Sequence, residues 1–204
     1  MSEMVWHGLD LVLHPEVYAP AEDTELLLDA LEALSLPEGA WACDVGTGTG
    51  ALALALARRG ARVLAVDVSA DAVRLARANA LANGLAHRID VVRGDALEAT
   101  RGPFDVVSFN PPYLPVEGET QRPLARAWEG GEGGIGWAPR FLEGLQVSLA
   151  PRGVALVVLS TLGKPGRFRA TAAVRGFTAE TVGREKLPWE ELEVVALRRR
   201  VAFS

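Results

Sequence analysis

The feature that most narrows the possible folds is a glycine turn between a strand-like run and a helix-like run. Residues 41–45 read as a strand ending in Asp44-Val45, Gly46-Thr47-Gly48-Thr49-Gly50 is the turn, and 51–59 read as a helix closed by Gly60. Glycine supplies tight, left-handed backbone where a chain must reverse or let a ligand approach its main chain. The alternation continues. Residues 62–66 form a strand ending on Asp67, Ser69 caps a helix running through Ala82, and Asn83-Gly84 stops it. Residues 89–92, 104–109 and 154–159 are further strands, with helices expected over 139–149 and 168–174. Strands separated by helices imply βαβ units on a parallel sheet covered on both faces. The last two strands, 177–182 and 193–198, have no helix between them and should form an antiparallel hairpin at the edge.

Before Trp41 the pattern differs. Residues 9–13 suggest a strand in a short arm broken at Pro15 and Pro20. Glu22-Asp23-Thr24-Glu25 then opens a helix whose Leu26, Leu27, Ala30, Leu31 and Leu34 share one face. Acids in the first turn suit the helix dipole, and Asp23 or Thr24 is a possible cap. At 204 residues the chain suits one domain, with 1–36 as arm and helix and 37–204 as a Rossmann-like core. The stretch 114–136 is the least regular and is rich in glycine; a loop of that length is more often a lid or binding loop than filler.

Composition excludes several classes. A net charge of −5 gives no footprint for non-specific nucleic-acid binding. Cys43 is the only cysteine, and His7, His14 and His87 lack ligand spacing, so neither a disulfide nor an intrinsic metal site is expected. The N-terminal segment lacks a signal-peptide pattern, and no apolar run reaches the ~20 residues that cross a bilayer. The expected location is the cytoplasm, with no membrane partner.

The chemistry concentrates at strand ends. Asn110-Pro111-Pro112-Tyr113 closes the run 104–109. Both prolines have fixed φ and no N–H, and Asn110 is held extended by the proline after it. The Asn110 side-chain oxygen and the Pro111 carbonyl then form a stiff pair of acceptors for a planar –NH₂, with Tyr113 covering the plane; the plainer alternative is that Asn-Pro only starts a turn. Asp44, Asp67 and Asp95 stand at the ends of three successive strands, where ligands of open α/β sheets bind. Carboxylates only accept. Asp44 suits an ammonium or nearby main chain, Asp67 two ribose hydroxyls, and Asp95 with the Ala96 N–H an adenine edge. Read as Gly46-x-Gly48-x-x-Ala51, the turn also fits the dinucleotide fingerprint, with Asp67 about 20 residues on. An NAD-dependent oxidoreductase therefore stays open, although a pyrophosphate beside Asp44 would be repelled.

Taken together, Asp44-x-Gly46-x-Gly48-x-Gly50 and Asn110-Pro111-Pro112-Tyr113 resemble the class I methyltransferases that modify planar nitrogens. The segment from Val17-Tyr18 through Pro20-Ala21-Glu22-Asp23-Thr24 to Leu31 is more specific. With Ala127-Trp128-x-Gly130-Gly131-x-x-Gly134 and Arg140-Phe141 it is similar to the HemK family of glutamine methyltransferases, especially its short archaeal and eukaryotic branch. That resemblance implies a mostly parallel seven-stranded sheet and S-adenosyl-L-methionine as methyl donor, with S-adenosyl-L-homocysteine as product. It implies cofactor contacts from Thr24, Asp44, Gly46, Gly48, Asp67, Asp95, Ala96 and Asn110. The catalytic corner would be Asn110, Pro111, Pro112 and Tyr113. The implied substrate is a glutamine of a peptide-chain release factor, and the implied partner a small zinc-containing activator. The same corner serves amino-methyltransferases of adenine or guanine, so RNA or DNA is the alternative substrate. A non-catalytic subunit that keeps the fold is a third reading.

Overall fold

The computed structural model describes residues 2–98, 100–112 and 135–200. Tyr113 and the 114–136 loop, apart from Ile135 and Gly136, lie outside the described residues, as do Ala127, Trp128, Gly130, Gly131 and Gly134. The chain opens with a hairpin of β1 (Ser2–Trp6) and β2 (Leu9–Leu13), followed by α1 (Glu22–Glu32). Then come β3 (Trp41–Val45), α2 (Ala51–Arg58), β4 (Arg62–Asp67), α3 (Ala70–Ala82), β5 (Ile89–Arg93) and β6 (Phe104–Phe109). The last described elements are α4 (Ala138–Ser148), β7 (Leu149–Ser160), α5 (Pro165–Val174), β8 (Phe177–Lys186) and β9 (Glu191–Arg199).

Seven strands form one sheet in the order β5-β4-β3-β6-β7-β9-β8. The first five are parallel; β9 runs antiparallel to both β7 and β8. The expected mixed sheet with a terminal antiparallel hairpin is what forms, and β8 is its edge. Strand order reverses between β3 and β6, so a crevice is left at their carboxyl ends.

Period-two alternation divides the core. Ala42, Val106, Val154, Leu156 and Val158 face a layer with Leu27, Leu54 and Val73 from α1, α2 and α3. Cys43, Val107, Ala155, Val157 and Leu159 face the opposite layer, with Phe141 and Leu142 of α4 and Phe168 of α5. Each fully buried Leu or Phe contributes roughly 1.5–3 kcal/mol relative to exposure, so the two apolar layers dominate stability. Strands buried on both faces read as near-continuous apolar runs, which is why 104–109 and 154–159 were so visible.

The arm holds a strand that sequence pattern did not reveal. β1 pairs antiparallel with β2 across a turn at His7 (φ 47°) and Gly8 (φ 73°), the left-handed pair that closes a two-residue hairpin. Val5 remains exposed, so β1 owes its form to pairing more than to burial. The hairpin is tied to α3 by two asparagines one helical turn apart. Asn79 Oδ1 accepts Val12 N–H (2.9 Å) while its Nδ2 donates to Val12 O (3.1 Å) and Thr49 O (2.9 Å). Asn83 repeats the pattern at Asp10. Trp6 Nε1 and His7 meet Glu25, which fastens the hairpin to α1. The N-cap of α1 is Ala21, without a side-chain cap, in place of the suggested Asp23 or Thr24.

Gly50, the N-cap of α2, has φ 83°, and an added Cβ would lie 3.1 Å from Ala76 Cβ and 3.2 Å from Ala76 Cα in α3. Gly84 has a similar φ of 68° but open space around it. Both Gly→Ala changes should carry the left-handed penalty of roughly 1–2 kcal/mol. Gly50→Ala should cost more, because α3 must also move; urea unfolding of the two variants measures the difference, and equal costs would show that α3 yields freely.

Candidate active site

The crevice at the switch point is a cleft of about 200 Å³. Its walls bring together Thr24 from α1, Asp44 from β3, Gly46 and Gly48 from the turn, Asp67 from β4 and Asn110 after β6. Pro112 stands at the same wall; Pro111 is buried behind it.

Asp44 is fully buried, 1% exposed. Its Oδ1 accepts Ser108 Oγ at 2.7 Å and its Oδ2 accepts Thr47 Oγ1 at 2.6 Å. Ser108 is the direct neighbour of Asp44 in the β3–β6 register, so this pair bridges the two strands where the order reverses. Burial pushes the Asp44 carboxyl up to about 6, with nearby Asp67 adding to the rise, while the donations from Thr47 and Ser108 restrain it. Asp67 takes Gly48 N–H (2.9 Å) on Oδ2 and Ser69 N–H (2.9 Å) on Oδ1. Burial raises its pKa as well. Thr47 N–H bonds Val66 O at 3.0 Å, so the turn is pinned to β4 by main chain and side chain together.

The Asn110 corner is placed by packing behind it. Phe109 lies 4.8 Å from Phe141 and 5.0 Å from Trp137, ring centre to ring centre, and its ring edge borders Gly46. Asn110 Nδ2 donates to Thr24 Oγ1 at 3.4 Å. Asn110 Oδ1 is buried and has no hydrogen-bond partner among the described residues. An unpaired buried acceptor costs about 1–3 kcal/mol, so it marks a place where a donor belongs.

Asp95 and Ala96 are not brought to this cleft. Arg140 of α4 holds the Asp95 carboxylate and, with its Nε, Glu98 at 3.0 Å, and the Asp95 side chain is half exposed. Ala96 adopts a left-handed φ of 46° in that outer loop. A basic side chain 45 positions away claims the carboxylate, which strand-end position alone does not reveal. Sequence reading also passed over Ser108, Thr47 and the site role of Tyr18. Ser108 had a signal: it is a polar residue two positions before Asn110, in a strand whose only other polar residue is Asp105.

The charges decide between ligands. Glu16, Asp44 and Asp67 border the cleft, and none of its described lining residues is Lys, Arg or His. That set favours a cationic ligand and opposes a pyrophosphate. The methyltransferase small domain family matches residues 9–127. A Methanocaldococcus jannaschii protein with the provisional name protein N5-glutamine methyltransferase is 37% identical over 191 residues, covering 92% of this chain and 94% of its own.

The chain belongs to this methyltransferase family, in its HemK-type glutamine methyltransferase branch.

The release factor glutamine methyltransferase of Agrobacterium fabrum is 40% identical over 145 residues, and the HemK-type chain described here spans half of its length. Among solved structures, the E. cuniculi Mtq2–Trm112 complex responsible for methylation of the eRF1 translation termination factor contains a chain of TM-score 0.72 and 27% identity. The match covers 90% of this chain and 99% of that one. HemK-type enzymes are N-methyltransferases that use S-adenosylmethionine. The acid-lined cleft beyond the glycine turn, with no cation among its described lining residues, fits that sulfonium donor.

Stability should report the Asp44 environment. With its pKa raised on folding, the folded state binds the extra proton, so this contribution is fully present below about pH 4 and is lost as pH rises through about 6. Asp44→Asn should remove that slope. Urea unfolding at pH 4.5 and pH 7 should show the wild type losing on the order of 2–3 kcal/mol relative to the variant.

Proposed function

We propose that this chain transfers a methyl group from S-adenosylmethionine to the side-chain amide nitrogen of a glutamine in a peptide-chain release factor, in the cytoplasm. The observation that carries the reading is Asn110, which lines the acid-lined cleft and whose buried Oδ1 has no partner among the described residues. The similarity to enzymes named release factor glutamine methyltransferases supports the substrate. The Mtq2–Trm112 complex supports a small activator subunit as partner, zinc-containing as the sequence resemblance implies.

An amide nitrogen is a poor nucleophile because its lone pair is delocalised. Asn110 Oδ1 accepts one of its hydrogens and the Pro111 carbonyl the other, which turns the lone pair toward the donor pocket. Pro112 stiffens that corner; Tyr113, assigned to the amide plane from the sequence pattern, lies outside the described residues. Asp44, Gly46 and Gly48 hold the methionine end of the donor. Asp67 keeps one acceptor position on each oxygen for ribose hydroxyls, after its two main-chain bonds. Thr24 and Asn110 close the pocket beside them. When bound, S-adenosylmethionine supplies an electrophilic methyl group and departs as the neutral thioether. The acceptor carbonyls face the positive charge that develops on nitrogen, and its proton then passes to water. Most of the rate comes from positioning, with reacting atoms about 3–3.5 Å apart, and from these fixed dipoles.

Amino-methylation of adenine or guanine asks for a basic strip beside Asn110. The described surroundings supply acids there: Glu16, Asp23, Asp44 and Asp67.

Labelled S-adenosylmethionine incubated with purified release factor, total tRNA and rRNA should label the release factor. Label confined to RNA would overturn the substrate. Asn110→Ala should lower turnover by about 10²–10³ while leaving affinity for S-adenosylhomocysteine within about threefold. Asp67→Ala should weaken that affinity by about tenfold or more, measured by calorimetry; an unchanged value removes Asp67 from the donor pocket.

A further inference from the structure

Asp23 and Thr24 are buried, 3% and 6% exposed, at the first turn of α1, far from Asn110 in sequence yet joined to it in space. Asp23 Oδ1 accepts three donors: Thr24 N–H at 2.7 Å, Tyr18 Oη at 3.1 Å and Thr24 Oγ1 at 3.2 Å. A hydroxyl has one proton, and an ionised carboxylate can only accept. The Thr24 proton is therefore committed to Asp23, and Thr24 Oγ1 shows Asn110 nothing but lone pairs. Only the –NH₂ end of the Asn110 amide can bond there, which it does at 3.4 Å. The oxygen end is forced the other way and has no partner among the described residues, on a side chain that lines the cleft.

We propose that Asp23 and Thr24 are positioning residues that dictate which end of the Asn110 amide meets the reacting amide. The inference rests on the reading in which Asn110 Oδ1 accepts a substrate hydrogen. Its direction of donation is fixed along the whole chain of groups, from Asn110 Nδ2 to Thr24 Oγ1 to Asp23 Oδ1. Tyr18 anchors the end: burial raises its pKa, so its hydroxyl remains a donor to Asp23 across the working pH range. The first-turn N–H of Thr24, one of the donors a helix start leaves without an intrahelical partner, anchors it from the other side. A reversed Asn110 would point –NH₂ at the substrate –NH₂, two donors with no acceptor between them. The wiring thus selects a nitrogen that carries hydrogens and rejects a carboxylate, which has none to give.

The test uses the full chain with its release factor and, where needed, its activator. The sequence has three asparagines, Asn79, Asn83 and Asn110, so ¹⁵N-asparagine labelling gives three side-chain –NH₂ signals. Thr24→Val removes the hydroxyl at nearly constant volume, and Thr24→Ser keeps it. Thr24→Val should lower kcat by about tenfold or more with KM for release factor changed less than about threefold, and Thr24→Ser should stay within about twofold of wild type. The Asn110 signals should move in Thr24→Val and hold in Thr24→Ser, with Asn79 and Asn83 unmoved in both as the control for folding. Asp23→Asn, which offers an amide where only an acceptor stood, should lower kcat too. The inference is overturned if Thr24→Val keeps wild-type kcat and Asn110 signals, if Thr24→Ser loses as much as Thr24→Val, or if Asp23→Asn is fully active. Asn110→Ala separates the levels. A fully active Asn110→Ala sinks the reading of the corner itself, and the inference with it. An inactive Asn110→Ala beside a fully active Thr24→Val sinks the inference alone.

Discussion

One buried and one half-buried carboxylate, Asp44 and Asp67, hold the glycine turn, and the site is built around that clamp. Asp44 joins Ser108 on β6 to Thr47 in the turn, and Asp67 draws Gly48 N–H onto the end of β4. Neither acid has a cation among its described hydrogen-bond partners. Desolvation therefore raises both pKa values, and hydroxyl or main-chain donors offset only part of the cost. A fold built for stability alone would place an apolar residue at Asp44. Burying acid here makes sense where the crevice must remain negative and its backbone must not move.

The sheet was legible because its strands are buried on both faces. Runs such as 154–159 are apolar without interruption, and glycine or asparagine follows three of the described helices, at Gly60, Asn83-Gly84 and Gly176, so all seven strands and their order of appearance could be read from pattern. β1 was not legible. Its residues are half polar, and its strand form comes from pairing with β2 and from Asn79 and Asn83 reaching across from α3. Of the site, strand-end positions disclosed Asp44, Asp67 and Asn110, which do meet in one cleft. Asp95 stands after a strand end too, yet lies outside the cleft's described lining and is held by Arg140, from a helix 45 positions later. Position along a strand is local information; which cation turns toward an acid is not.

The arm acquires a meaning that its sequence hides. Glu25 fastens the hairpin to α1, and α1 carries Asp23 and Thr24 to the corner after β6. A helix whose apolar face packs on β7, β8 and β9 thereby delivers polar groups from its first turn to the β3–β6 crevice. The missing side-chain cap at Ala21 fits this arrangement. Asp23 serves the helix start from inside the first turn, taking Thr24 N–H, and the same oxygen receives the hydroxyl that faces Asn110.

Orientation matters more for an amide meeting an amide than for most recognition problems. The two ends of an asparagine side chain are nearly equal in shape and opposite in hydrogen-bonding sense. Packing by Phe109 and the prolines can fix where the Asn110 side chain lies, but not which atom leads, since both ends fill the same space. A charge-bearing acceptor can. Asp23 polarises the Thr24 hydroxyl, and the polarity passes to Asn110 through one shared oxygen. Reversal would leave a buried donor facing a donor, at about 1–3 kcal/mol for the unmade bond. In the proposed reaction that penalty falls on the transition state, where the two acceptors would grip the substrate nitrogen together, so its place is in turnover and not in affinity.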